Sequence, residues 1–136
     1  MNQLLLVLSA IFVALAAVLH VYIFTLESVN WSQPATWTIF GIRTQRDADT
    51  IKPMAFNQGF YNLFLAVEAG LGVILLSVSV SMPVAITLVV VGAGSMVLAA
   101  LVLLLSSKTT RRSALIQGVP AFVGLLFLLL SSALAS

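Results

Sequence analysis

The sequence predicts an all-α integral membrane protein, a four-helix bundle of two antiparallel transmembrane hairpins with a short interfacial helix in its first loop. Three observations predict it. Of 136 residues, 61% are hydrophobic and only 7% are charged, and the mean hydropathy is +1.17. Such a chain has too little polar surface to coat a water-soluble globule. Its apolar residues fall into four runs, each long enough for the roughly 20 residues that cross a hydrocarbon core of about 30 Å. All six Lys and Arg residues lie between these runs, in two clusters.

The first run covers 4–26. It begins with the uncharged Met1-Asn2-Gln3 and continues beyond a signal peptide's short apolar stretch, so it reads as a retained helix. Positions His20, Phe24 and Glu27 share one face, continued toward the N-terminus by Ala16, Val13 and Ser9. Loop 27–53 follows. Pro34 suits a first helical turn and Gly41 a stop, enclosing Ala35, Trp37, Ile39 and Phe40. With Trp31, this piece is expected in the headgroup layer, where aromatic rings are favoured. A further turn is expected at Thr44, with Asp47 completing a partial capping box.

Pro53 is placed at the start of the second run, 54–80. Ser81, Met82 and Pro83 make a tight junction to the third, 82–105, and the fourth covers 114–134. Arg43, Arg46 and Lys52 precede the second run, and Lys108, Arg111 and Arg112 precede the fourth. An even number of crossings separates these two loops, so both face the cytoplasm by the positive-inside rule, and both termini face outward. The chain is thus expected to be one domain, 1–136, multi-pass in the plasma (inner) membrane. Its net charge of +2 reports topology, and it offers no solvated basic face for nucleic acid. The sequon at Asn30-Trp31-Ser32 would stay unmodified on a cytoplasmic loop. There is no cysteine, which removes thiol, iron–sulfur and Cys-zinc chemistry.

Polar residues inside the runs carry the functional expectation. With Asn57 at zero, 100° per residue puts Glu68 at about 20°, Tyr61 at about 40°, Gln58 at about 100° and Asn62 at about 140°. Polar groups facing lipid lose their water partners, so this arc is expected to face the other helices. At matching depth His20 would meet Tyr61 and Asn62, with Glu27, Asn57 and Gln58 at the mouth and Gln117 entering from the fourth run. Glu68 lies beyond the midplane, where an ionised carboxylate is costly; it is expected to be neutral, hydrogen-bonded or paired, with Gly92, Gly94 and Ser95 opposite. The expected ligand-binding set is therefore His20, Glu27, Asn57, Gln58, Tyr61, Asn62, Glu68 and Gln117. No metal-ligand spacing appears, since His20, Glu27 and Glu68 lie at different depths, and no cofactor is called for.

The blocks HVYIFTLES (20–28) and KPMAFNQGFYNLFLA (52–66) resemble a family of small bacterial four-span membrane proteins catalogued as a domain of unknown function, number 1304. The resemblance implies a compact four-helix membrane domain with His20, Glu27, Asn57, Gln58, Tyr61 and Asn62 in the family's motif positions, and carries no activity. A weak repeat, pairing 52–59 with 111–118, matches a base, an Ala and a Gln-Gly. Beyond these positions the halves share only hydrophobicity, and Pro120 and Gly124 mark a bend in the fourth run.

Three functions fit these residues. The first is an intramembrane polar pocket that binds or transports a small or lipid-like molecule, with Glu68 as a protonatable element; transport through so few helices would call for a homodimer. The second is a cofactor-free proton-transfer or isomerase-type enzyme on a lipid-like substrate, with His20 as the shuttle. The third is a non-catalytic assembly or regulatory subunit whose polar arc fastens helices together. Lipids are partners in each.

Overall fold

The computed structural model describes residues 1–78 and 81–134, and every element in it is helical. Helix α1 spans Gln3–Phe24 and runs directly into a π turn, Thr25–Val29. Its N-terminus is capped by Asn2, whose side chain accepts from the Leu5 N–H at 3.2 Å. The short α2, Pro34–Trp37, passes into a 3₁₀ turn, Thr38–Phe40. Helix α3 spans Gln45–Val78, α4 Met82–Ser106 and α5 Arg111–Ala133. Four helical stretches are long and apolar enough to cross a membrane: Gln3–Val29, Gln45–Val78, Met82–Ser106 and Arg111–Ala133.

The loop keeps the expected punctuation. Pro34 opens α2, and Gly41 ends the 3₁₀ turn at φ 80°, a left-handed conformation that glycine adopts without a Cβ penalty. The rings of Trp31 and Trp37 are buried within the protein. They pack with Ala48 and Ala55, and the Trp31 indole N–H donates to the Ala48 carbonyl at 3.0 Å. That acceptor favours burial of the Trp31 indole, whereas the buried Trp37 Nε1 finds no partner among the described residues. This cluster attaches the loop to α3.

The helices extend beyond two of the expected span boundaries, to Val29 after α1 and back to Gln45 in α3. Thr44 does start a helix: its Oγ1 accepts from the Asp47 N–H at 3.1 Å and donates to the Asp47 carboxylate at 2.6 Å. That helix is already α3, however, and it continues through Pro53 without restarting there. The carbonyl that Pro53 leaves without an N–H partner belongs to Asp49, on an exposed stretch where water can take it. At 1.5 Å per residue its 34 residues extend about 51 Å, well beyond a hydrocarbon core of about 30 Å. The helix is thus longer than one crossing needs, and the connecting loop shrinks to 30–44. The expected end of the second span at Val80 lies outside the described residues.

Helix packing follows a stripe of small residues. Helix α1 lies against α3 and α5, and α4 against α3 and α5. Beyond Ala48, the buried positions on α3 are Ala55, Gly59, Asn62, Ala66, Ala69, Gly72 and Leu76, a run of i+3 and i+4 steps. A Cβ on Gly72 would come within 2.8 Å of the Val89 backbone, one on Gly92 within 2.9 Å of the Ala69 N, and one on Gly124 within 3.1 Å of the Val13 N. Lipid tails provide no hydrophobic contrast to drive apolar helices together, so close backbone approach is what makes van der Waals contact effective. At the far end from the loops, the Asn2 N–H donates to Ser131 O and Ser131 Oγ donates to Asn2 O, both at 2.9 Å.

Candidate functional site

The polar residues that come together do so where the π turn of α1 crosses α3. The Asn62 side-chain amide donates to Glu27 Oε2 at 2.8 Å, and also to its own helix at the Gln58 carbonyl, 3.2 Å away. Both residues are 8% exposed. Beside them Ser28 Oγ donates to the Phe56 carbonyl at 2.8 Å. Gly59 makes the crossing this close: a Cβ there would run into Ser28 Oγ and stand 3.1 Å from Glu27 Cβ and from Ser28 N. Single π turns occur preferentially at functional sites. Here the π turn carries the only buried carboxylate among the described residues.

Glu27 is half satisfied. Oε2 takes the Asn62 amide, while Oε1 takes no hydrogen bond among the described residues. An ionised carboxylate has about four acceptor sites. A donor from outside the chain could therefore be held here without displacing Asn62.

His20, two turns before Glu27, is 1% exposed, and its Nδ1 lies 2.9 Å from the Ala16 carbonyl. A carbonyl can only accept, so this contact makes Nδ1 the protonated nitrogen and leaves Nε2 as an acceptor in the neutral ring. Of the α1 face read from sequence, Ser9, Val13, Ala16, His20 and Glu27 are all buried. Phe24 is half-buried and meets Phe60 edge-on at 5.2 Å.

The remaining expected members are not brought to this cluster. Tyr61 is 57% exposed, and Asn57 and Gln58 are exposed. Glu68 and Gln117 are half-buried, and neither makes a side-chain hydrogen bond among the described residues. Gly92 does approach α3 at the level of Ala69, as expected, but Ser95 forms no bond with Glu68. Of the polar residues on the arc of α3 expected to face inward, only Asn62 is buried. The packed face is the small-residue stripe, which contains Asn62; Asn57, Tyr61 and Glu68 lie about 100–140° around the helix from it. His20 is buried and Tyr61 exposed, and no hydrogen bond joins them among the described residues. Two grooves are lined by other residues, one between α4 and α5 and one around Gly41, Arg43, Asp47 and Ile51. Among the described residues no three His, Cys, Asp or Glu side chains cluster to hold a metal ion.

Sequence reasoning missed Ser28 and Gly59 as parts of the site. The spacing of small residues along Ala55, Gly59, Ala66 and Ala69 was the signal that could have found the crossing. A π turn leaves no comparable mark, since TLESV is compatible with ordinary helix.

The four long apolar helices and the polar contact between two of them define a helical protein of the multi-pass membrane class. The family described as "Protein of unknown function (DUF1304)" matches residues 14–129, and the chain belongs to it. No curated protein and no solved structure matches.

Proposed function

We propose that this protein binds a small or lipid-like molecule carrying a hydrogen-bond donor at the loop end of the α1–α3 seam, with Glu27 as the acceptor, Asn62 as the group that orients it and His20 as a second polar contact deeper in. The observation that carries this reading is the buried Glu27 carboxylate, held through one oxygen by Asn62 at 2.8 Å with the other oxygen unbonded. A carboxylate in a membrane-spanning segment is expensive enough that a dedicated partner is expected. In the same reading the four long helices form an antiparallel bundle in the inner membrane. Its 30–44 and 107–110 loops are cytoplasmic, by the distribution of Lys and Arg, and its termini are outside. The contacts of Gly59 with Ser28, Gly72 with Val89 and Gly124 with Val13 support that arrangement. Through-passage is not part of the reading, because Glu68 lies off the packed face.

A second reading, a non-catalytic assembly subunit, is favoured by the density of the small-residue core, in which Val13, Ala16, Ala69, Ala85, Val89, Ala93 and Ala121 are inaccessible. One experiment separates the two. The protein is extracted with its native membrane lipids in polymer discs and analysed by mass spectrometry for bound molecules, in wild type and in Glu27→Gln. Binding at Glu27 predicts one stoichiometric molecule, depleted in the variant. An identical complement of bound molecules in both proteins would overturn the reading.

A further inference from the structure

A groove of about 140 Å³ runs between α4 and α5, and every residue lining it is apolar or glycine. Its walls are Val97, Leu101 and Leu104 on α4 and Leu115, Val119 and Phe122 on α5; its floor is the close approach of Gly118 to Ala100, where a Cβ would stand 2.6 Å from the alanine methyl. From Leu115 to Phe122 it extends about 10 Å along the helix, two-thirds of the roughly 15 Å depth of one leaflet's hydrocarbon. At its loop end stand three cations. Arg111 and Arg112 open α5, separated from the lining residue Ala114 by Ser113, and Lys108 precedes them in the connecting turn. All three are exposed, and the chain's four acids, Glu27, Asp47, Asp49 and Glu68, form no ion pair with them among the described residues.

We infer that this groove is a site for one anionic phospholipid, with an acyl chain lying along Leu101, Leu104, Val119 and Phe122 and the phosphate against Lys108, Arg111 and Arg112. The chemistry is complementary at both ends. An apolar groove open to the bilayer is filled by the solvent it faces, which is hydrocarbon. Basic residues grouped where that groove meets the interface favour an anionic headgroup over a zwitterionic one. The uncapped N-terminus of α5 adds partial positive charge at the same level. Neither half suffices alone: the groove gives residence without headgroup choice, and the cations give attraction without a fixed place. The site is on α4 and α5 and uses nothing from the α1–α3 seam, so it stands or falls separately from Glu27.

The test uses the full chain in detergent, loaded with equal amounts of dioleoyl phosphatidylglycerol and dioleoyl phosphatidylcholine, with retained lipid counted by native mass spectrometry. The expected result is one phosphatidylglycerol per chain, preferred about tenfold or more, since each cation at the interface is worth about a fivefold factor. The pair Arg111→Gln with Arg112→Gln lowers the preference to no more than about the fivefold that Lys108 alone sustains. Val119→Trp, at a position already half exposed, lowers retention of both lipids by filling the groove. Removing the same charge from the other loop, with Arg43→Gln and Arg46→Gln, leaves the preference unchanged. Equal retention of both lipids by the wild type would overturn the inference. So would an equal loss of preference in the Arg43/Arg46 control, or full displacement of the lipid by glycerophosphate at the same concentration.

Discussion

Replacing Asn62 by leucine probes the α1–α3 crossing most sharply. The substitution keeps a side chain of similar volume and removes the amide that donates to Glu27 Oε2 at 2.8 Å. Interhelical hydrogen bonds within membrane proteins average about 0.6 kcal/mol and reach about 1.7 kcal/mol. Glu27 is only 8% exposed, so removing its donor also leaves a buried acceptor unpaired, a cost of about 1–3 kcal/mol. These two figures overlap, because the desolvation of Glu27 is part of both, and the expected loss is about 2 kcal/mol. The assay is reversible unfolding in mixed micelles as the fraction of dodecyl sulfate rises, followed by circular dichroism or by Trp31 and Trp37 fluorescence. A double-mutant cycle with Glu27→Leu isolates the pair and should return a coupling of about 1–2 kcal/mol, well above the roughly 0.3–0.5 kcal/mol at which independent sites add. Additivity within that limit would refute the reasoning. A loss from Tyr61→Phe equal to that from Asn62→Leu would do so as well, because the exposed Tyr61 is expected to cost less than about 0.5 kcal/mol.

Glycine substitutions should divide by what lies opposite them. Gly124→Ala places a methyl against the Val13 side chain and backbone and is expected to cost about 1–3 kcal/mol in the same unfolding assay, whereas Gly94→Ala meets nothing within 4 Å and should be neutral or stabilising by up to about 1 kcal/mol. Trp31→Phe keeps an aromatic ring but loses the donor to Ala48 O, so hydrogen exchange across 45–53 should rise while that of 60–75 stays constant. Ser131→Ala removes the bond to Asn2 O and should cost about 0.5–1.5 kcal/mol, with faster exchange confined to the first turn of α1.

The sequence carries most of the fold because hydrophobic length is a strong signal. Four apolar runs fixed four helices, Gly41 and Thr44 marked a stop and a start, and the α1 face from Ser9 to Glu27 was legible from its 3.6-residue spacing. Helix α3 was misread at both levels for related reasons. Lys52-Pro53 looked like a boundary, yet proline inside a helix is tolerated where the freed carbonyl is solvated, and the Trp31 and Trp37 cluster holds the preceding turns in place. Because polar groups avoid lipid, the sequence alone points Asn57, Tyr61 and Glu68 inward. Close approach of backbones through Gly59, Ala66, Ala69 and Gly72 took precedence, and of the polar set on α3 only Asn62 shares that face. The pairing of Glu27 with Asn62 required knowing that the π turn directs α1 onto Gly59, and local sequence does not encode it.

The most direct test is a solid-state NMR distance between the Asn62 side-chain nitrogen and the Glu27 carboxyl carbon, with the selectively labelled protein in lipid bilayers. The 2.8 Å hydrogen bond predicts strong dipolar dephasing between these two nuclei, abolished in Asn62→Leu. Dephasing no greater than that of the Asn57 side chain, which is exposed and makes no such bond, would contradict the account.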